Sequence, residues 1–116
     1  MNVLLIKTKT AGAAIEAYRL LTHGAADNAV VPAAVSSTFD GVSGHMATAN
    51  GEKIDVALAG IAEVQLGGTV TRGSMLTSDA NGKAVVAVPT NTIWGVAQAS
   101  GVANDVIPML IAPGVM

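Results

Sequence analysis

The side chains of this sequence best suited to proton transfer near neutral pH are two histidines, His23 and His45. A Ser–His–Asp triad can be drawn from the serine pair at 36–37, His45 and Asp40. The serines, however, lack the glycine-flanked pattern of a nucleophile elbow. Each histidine also adjoins a glycine in a turn-like stretch. We therefore expect exposed loop histidines and no catalytic triad.

Three carboxylates, Glu52, Asp55 and Glu63, lie in or beside an apolar segment of strand character. Lys53 and Asp55 share one strand face, which is the spacing of a solvated charge pair, whereas general acid catalysis needs a cleft. The chain has no cysteine, which excludes disulfides, thiolate metal sites and cysteine nucleophiles. Its histidines and carboxylates lack the close clustering of a metal site. We expect no metal, no cofactor and no enzymatic activity.

Lys83 is the lysine whose surroundings suggest covalent modification. The run GGTVTRGSMLTSDANGKAV at 67–85 resembles the hammerhead turn of biotinyl and lipoyl carrier domains, in which a turn lysine is modified. Those domains hold the lysine inside the turn, whereas Lys83 follows Asn81-Gly82 and begins a strand. A carrier domain modified at Lys83 is kept as an alternative. A small-ligand or glycan-binding β module is another, but 3% aromatic residues offer few stacking platforms.

The chain of 116 residues is 51% hydrophobic and only 12% charged. That charged share is about half of the usual ~25%, so we expect partners to cover part of the surface. A net charge of −2 and a pI of 5.4 provide no basic surface for nucleic acid. The apolar stretches at 3–6 and 106–116 are too short for a signal-peptide core or a membrane span. We expect a soluble, non-secreted protein.

Short strands dominate the pattern. In KIDVALAG at 53–60, Ile54, Val56 and Leu58 recur at every second position, which places the branched side chains on one face. The other runs of strand character are VLLIKT, AYRLLT, AVVPAA, KAVVAV, IWGVAQA and VIPMLIA. Turn dipeptides separate such runs at Asn50-Gly51, Gly67-Gly68 and Asn81-Gly82. The alanine-rich segment at 11–21 has weak helical spacing, but Gly12 and the lack of an N-cap favour a strand there.

The sequence also repeats itself. Shifts of 55 and 54 residues align Leu21-Thr22 with Leu76-Thr77, Ala29-Val30-Val31 with Ala84-Val85-Val86, and Gly41-Val42 with Gly95-Val96. Chance matching in an Ala/Val/Gly-rich chain is the alternative explanation. The repeat predicts a single all-β domain at 10–116, with half-repeats at about 10–61 and 65–115. We expect the halves to pack as one barrel or sandwich with pseudo-twofold symmetry.

Residues 1–9 precede the repeat and predict an extended N-terminal arm. The arm is apolar at Val3, Leu4, Leu5 and Ile6 and then basic at Lys7. Such a segment can add as a strand to the edge of a neighbouring chain, with Leu4 and Ile6 alternating into pockets.

Trp94, the single tryptophan, precedes Gly95 on a predicted strand. Large aromatic side chains anchor interfaces, but they more often fill cores. We favour a core position and keep Trp94 as a candidate interface anchor.

Over nearly its full length, the chain resembles the capsid cement, or head decoration, proteins of tailed bacteriophages. The resemblance rests on DVALAGIAEVQLGGTVTRGSMLTSDANGKAV at 55–85, on the opening LLIKTKTAGAAIEAYRLLTHGAAD and on the ending VIPMLIAPGVM. The central block, with its Gly-Gly, Arg-Gly and Asp-x-x-Gly-Lys steps, is more specific than the alanine-rich flanks.

The resemblance implies a small β-barrel or β-sandwich, of β-tulip-like form, that binds the outer surface of the expanded phage head. There it would stabilise the shell by bridging subunits of the major capsid protein. The resemblance also implies a homotrimer, or a homodimer as in some phages, carried on the outside of the virion after synthesis in the host cytoplasm. It implies no nucleic-acid partner, no membrane and no catalysis. It does not assign a function to any individual residue of this chain.

Overall fold

Every regular element in the computed structural model is a β-strand, and the structure describes residues 2–25, 27–35, 37–44, 46–88 and 91–115. The strands are β1 Asn2–Ala11, β2 Leu20–His23, β3 Ala29–Pro32, β4 Gly41–Ser43, β5 Lys53–Gln65, β6 Met75–Ser78, β7 Ala84–Val86, β8 Thr92–Ala97 and β9 Val106–Val115. The all-β prediction is confirmed. In these ranges no helix is long and apolar enough to cross a membrane. The alanine-rich segment, expected to be a strand, forms a loop at 12–19 between β1 and β2, and Tyr18 in this loop has a φ of 58°.

Five strands close into a small barrel in the first half of the chain. Their order is β1-β3-β2-β4-β5, and β5 returns to pair with β1. β1 and β3 are parallel, with Thr10 opposite Ala29 and Ala11 opposite Val30, and the other neighbours in the ring are antiparallel. A closed ring exposes a strand edge only where one strand extends past its neighbour.

A second ring shares β5 with the first. The C-terminal part of β5 pairs with β9, and the order continues through β8 and β6 to β7. A parallel bridge between Leu66 and Ala84 closes this ring. β5 is 13 residues long, and it is both the last strand of the first ring and the first strand of the second. Gly60 lies near the change-over with a φ of 96°, a left-handed conformation that favours glycine.

Main-chain contacts recur in the two rings at, or within one residue of, the offsets found in the sequence. The strand pair Leu20–Val42 of the first ring corresponds to Met75–Val96 of the second, and the bridge Ile15–Thr48 corresponds to Val70–Gly101. The hydrogen bond from Gly51 N–H to the Ala11 carbonyl corresponds to the one from Asn104 N–H to the Leu66 carbonyl. The two related halves are thus two copies of one five-stranded ring.

The halves follow one another head to tail, which corrects the expected pseudo-twofold packing. A twofold axis would give equivalent residues the same surroundings. Trp94 is fully buried, and its Nε1–H donates to the carbonyl oxygen of Leu21 in the first half at 3.3 Å. The equivalent residue 54 positions earlier, Asp40, bonds to Lys9 within its own half. One face of the first half therefore packs on a different face of the second.

Residues 2–9, which we expected to form an arm outside the β domain, are part of β1. They pair with β5 from Asn2, opposite Ile61, to Lys9, opposite Ile54. The predicted boundary after residue 9 is therefore absent from the fold. The reason is that an extended apolar strand carries unpaired N–H and C=O groups, and β5 satisfies those along one of its edges.

Two buried clusters of mostly aliphatic side chains fill the molecule. The first lies inside the first ring and consists of Ala11, Ile15, Leu21, Val30, Ile54 and Val56. The second fills the second ring and continues around Trp94 to the side of the first ring that faces it. The core that joins the two halves is therefore continuous with the core of the second half.

Candidate functional site

The outer edge of β1 is open to an added strand. β1 pairs with β5 along one edge, but on the other edge it pairs with β3 only at Thr10 and Ala11. Thr10 N–H donates to the Asn28 carbonyl on that second edge at 2.9 Å. Because main-chain groups alternate along a strand, those of Ile6 and Thr8 point the same way. No strand in the described ranges pairs with them, and we call residues 5–9 the β1 edge.

A groove of about 550 Å³ lies next to Ile6, on the side of β1 that pairs with β5. Its apolar lining comes from Ile6, Val42, Met46, Ala47, Ile54 and Ala57, and Glu52, Lys53 and Asp55 contribute polar groups. Ile6 is 54% exposed and its neighbour Leu5 is 53% exposed. An added strand would find main-chain partners along the open edge and the exposed Leu5 and Ile6 side chains to pack against, the two components of strand-addition recognition.

Polar cross-strand pairs hold β1 on β5. The Thr8 hydroxyl donates to Asp55 Oδ1 at 2.9 Å, and Lys53 Nζ donates to the Thr10 hydroxyl at 3.1 Å. Lys53 and Asp55 share a strand face as expected, but each bonds to a threonine of β1. The side chains of Val3 and Leu4, expected to contact a partner, lie outside the described residues.

A charged cluster fixes the C-terminal end of β1. Lys9 Nζ lies 2.5 Å from Asp40 Oδ1, and His23 Nδ1 lies 2.6 Å from Asp40 Oδ2. The Asp40 side chain is 1% exposed and that of Lys9 14%, whereas that of His23 is 62% exposed. Asp40 N–H also donates to the Leu21 carbonyl. The cluster therefore ties β1 and β2 to the residue that precedes β4.

The parts of the hypothetical triad have other partners or lie outside the described residues. Asp40 is engaged by Lys9 and His23, and the Ser37 hydroxyl accepts the Ala34 N–H within a turn. His45 and Ser36 fall outside the described ranges. In the part of the chain that the structure describes, no three His, Asp or Glu side chains group as a metal site requires.

Lys83 lies beyond the tip of the β6–β7 turn. Asp79 closes that turn, because its Oδ1 accepts the N–H groups of Asn81 and Lys83 at 2.8 and 3.0 Å. Lys83 is half-buried, and its ammonium group donates to Asn104 Oδ1 at 2.9 Å. The lysine is therefore held against the body of the second half, unlike the lysine of a carrier-domain turn.

Trp94 belongs to the core. Its side chain is fully buried, and its ring lies 6.1 Å from that of Phe39, measured between centroids. The core interpretation of Trp94 is confirmed, and the side chain is not available on the surface as an anchor for a partner.

Sequence reasoning missed the contact between Lys9, Asp40 and His23, which are distant along the chain. The sequence did contain one indication that Asp40 is buried and needs a partner. The repeat aligns Asp40 with Trp94, so a buried position was implied for Asp40, and a buried carboxylate needs a cation or hydrogen-bond donors.

Comparisons with known proteins yield a match in structure. No protein-family model matches the chain, and a search of curated proteins finds no match. The crystal structure of the head fiber gp8.5 N base in bacteriophage phi29 matches with a TM-score of 0.77 and 22% sequence identity. The match covers 97% of this chain and 97% of that chain. At this identity the likeness establishes a shared fold along nearly the whole chain.

Proposed function

We propose that this protein is a structural component of a tailed-phage head, which binds the outer surface of the expanded capsid and cements it by bridging major capsid protein subunits. The observation that carries the proposal is the fold shared over 97% of the chain with the base of a phage head fiber. The low charged fraction of 12% supports it, because a protein embedded in an assembly needs fewer ionic groups on its surface.

Mass action explains how such a protein would stabilise a shell. A ligand that binds the assembled capsid and not its free subunits shifts the equilibrium toward the capsid. Contacts to several capsid subunits raise the effective concentration at each further contact, so weak individual sites suffice. This role requires neither catalysis nor a cofactor, and it places the protein on the outside of the virion after synthesis in the host cytoplasm.

The β1 edge is the proposed capsid contact. Its main-chain groups at Ile6 and Thr8 would receive an extended segment of the major capsid protein, and the exposed side chains of Leu5 and Ile6 would contact apolar side chains of that segment. The direction of strand addition is thus the reverse of the one expected from the sequence, since β1 remains in its barrel and accepts the incoming strand. Lys7, which is exposed, would lie beside the added segment.

Undecorated expanded heads provide the test. Purified protein is added to them, and the bound stoichiometry and the temperature of head disruption are measured. We expect saturable binding and a raised disruption temperature. An absence of binding would contradict the cement role.

A matched pair of variants tests the contact itself. Thr8→Ala removes the hydroxyl but keeps the N–H on the open edge, whereas Thr8→Pro removes both, and proline is tolerated where the strand N–H faces away from its neighbour. We expect Thr8→Ala to bind as the unmodified protein does and Thr8→Pro to bind at least about tenfold more weakly. Circular dichroism verifies that both are folded. Equal binding by the two variants would remove the β1 edge from the proposal and leave the cement role standing.

A further inference from the structure

Each half carries a row of apolar side chains across its sheet. In the first half, neighbouring strands align Leu20, Val42, Ala57 and Ile6. In the second half, the corresponding row is made of Met75, Val96, Leu110 and Ile61. We call this second row the second-half face.

The two rows differ in burial. Leu20 and Val42 have no exposed surface and Ala57 is 7% exposed, whereas Ile6, at the end of the first row, is 54% exposed. In the second-half face, Met75 is 46% exposed and Leu110 is 42% exposed, while Val96 and Ile61 are partly exposed. The positions of Leu20, Val42 and Ala57 are thus part of the core in the first half, whereas the equivalent positions of Met75, Val96 and Leu110 are part of the surface in the second.

The first row is covered by the second half of the same chain. Leu20 and Val42 belong to one buried cluster with Trp94. Leu20 N–H also donates to the Gly82 carbonyl at 2.7 Å, so the β6–β7 turn lies directly on the row. A half-domain of this chain is therefore a demonstrated occupant of this kind of face.

We propose that a second copy of this chain covers the second-half face and that the protein self-associates there. The first half supplies the precedent, since its equivalent face packs on part of this chain, and a head-to-tail relation leaves the last such face without its occupant. The apolar surface continues along β9, where Val106 is 40% exposed and Pro108 is also exposed. Burial of these apolar side chains against a second copy would remove their surface from water, so this row can hold a stable contact.

A second copy fits the face better than a charged partner does. The row itself contains no charged side chain, and on the neighbouring row of β5 and β9 Glu63 pairs with Pro108. A strongly basic or acidic partner would find little to neutralise its charge there, whereas an uncharged surface of this chain would lose little hydration on binding.

Sedimentation equilibrium over a concentration series tests the proposal without any capsid. We expect the unmodified protein to self-associate, and Leu110→Glu to raise the dissociation constant at least about tenfold by placing an unpaired carboxylate in an apolar contact. Val35→Glu is the control, because Val35 is 64% exposed and lies in the first half, away from the second-half face. It should associate as the unmodified protein does.

Met75→Lys is the second variant, at the opposite end of the row, and it decides the question if Leu110→Glu proves unfolded by circular dichroism. A monomer at every concentration, association unaffected by the face variants, or equal disruption by Val35→Glu would overturn the proposal. None of these outcomes bears on capsid binding through the β1 edge, so the two proposals can fail separately.

Discussion

The indole of Trp94 donates its Nε1–H to the carbonyl oxygen of Leu21 at 3.3 Å, and this bond joins the second half of the chain to the first. The same carbonyl accepts the N–H of Asp40 at 3.0 Å. A single main-chain oxygen of β2 thus receives one donor from each half. The aromatic pair of Trp94 and Phe39 fills the space around it.

Substitution of Trp94 should separate the effect of volume from that of the hydrogen bond. Trp94→Ala is expected to lower the free energy of unfolding by about 3 to 5 kcal/mol, because it leaves a cavity between the halves. Trp94→Phe should cost only about 1 to 2 kcal/mol, since the Leu21 carbonyl keeps its bond from Asp40. Urea unfolding followed by circular dichroism measures both. A cost below about 1 kcal/mol for Trp94→Ala would contradict the central position of this side chain.

The Lys9–Asp40 pair should be strongly coupled. Asp40→Asn is expected to cost about 3 kcal/mol, near the lower end for breaking a buried ion pair, because the Lys9 side chain still reaches water. His23→Gln, at the exposed partner, should cost less than about 1 kcal/mol. A double-mutant cycle of Lys9→Met and Asp40→Asn, measured by urea unfolding, tests the coupling. Strictly additive costs would show that the two charges act independently.

Gly82 should not tolerate a side chain. Its φ is 77°, and a Cβ there would lie 3.0 Å from the Leu20 carbonyl oxygen across the contact between the halves. Gly82→Ala is therefore expected to destabilise the fold by about 1 to 3 kcal/mol. Gly44→Ala is the matched control, since a Cβ at Gly44 has no neighbour within 4 Å, and it should change stability by less than about 0.5 kcal/mol. Similar thermal midpoints for the two variants would refute the predicted close contact.

Thr77 offers a stabilising substitution. The residue is 5% exposed, and in the described chain its hydroxyl oxygen has no hydrogen-bond partner. Thr77→Val keeps the branched shape and removes the unsatisfied hydroxyl, so we expect the free energy of unfolding to rise by about 1 kcal/mol. Thr77→Ser, which keeps the hydroxyl and loses the methyl group, should fall below the unmodified protein. If Thr77→Val is the less stable of the two, the hydroxyl has a partner.

The Asp79 carboxylate should contribute more to the free energy of unfolding than a turn residue usually does. It accepts two main-chain N–H groups of the β6–β7 turn, whose Gly82 lies against Leu20. Asp79→Ala is expected to cost about 1.5 to 3 kcal/mol, the range for hydrogen bonds to a charged group. Asp79→Asn retains an acceptor oxygen and should lose less than half as much. Equal losses in thermal unfolding would mean that charge, and not the turn bonds, dominates.

Local pattern was enough to find most of the strands. Alternation and branched residues located β1, β2, β3, β5, β7, β8 and β9. β4 and β6, at Gly41–Ser43 and Met75–Ser78, were missed because they are short and polar at one end. The repeat held the missing information for β6, since Leu76-Thr77 aligns with Leu21-Thr22 of β2. Strand formation at such positions comes from pairing across the ring and not from intrinsic preference.

The sequence by itself predicted that the chain is all-β, that it is built of two related halves, and that Trp94 is in the core. Periodicity and turn dipeptides are properties of neighbouring residues, and a repeat is found by comparing the chain with itself. Only the tertiary structure decided that residues 2–9 belong to the first ring, that Asp40 meets Lys9 and His23, and that the halves pack head to tail. Each of these depends on which strand edge or face a distant segment covers. The alternation of apolar residues specifies which face of a strand must be buried. Which distant segment covers that face is decided only when the ring closes.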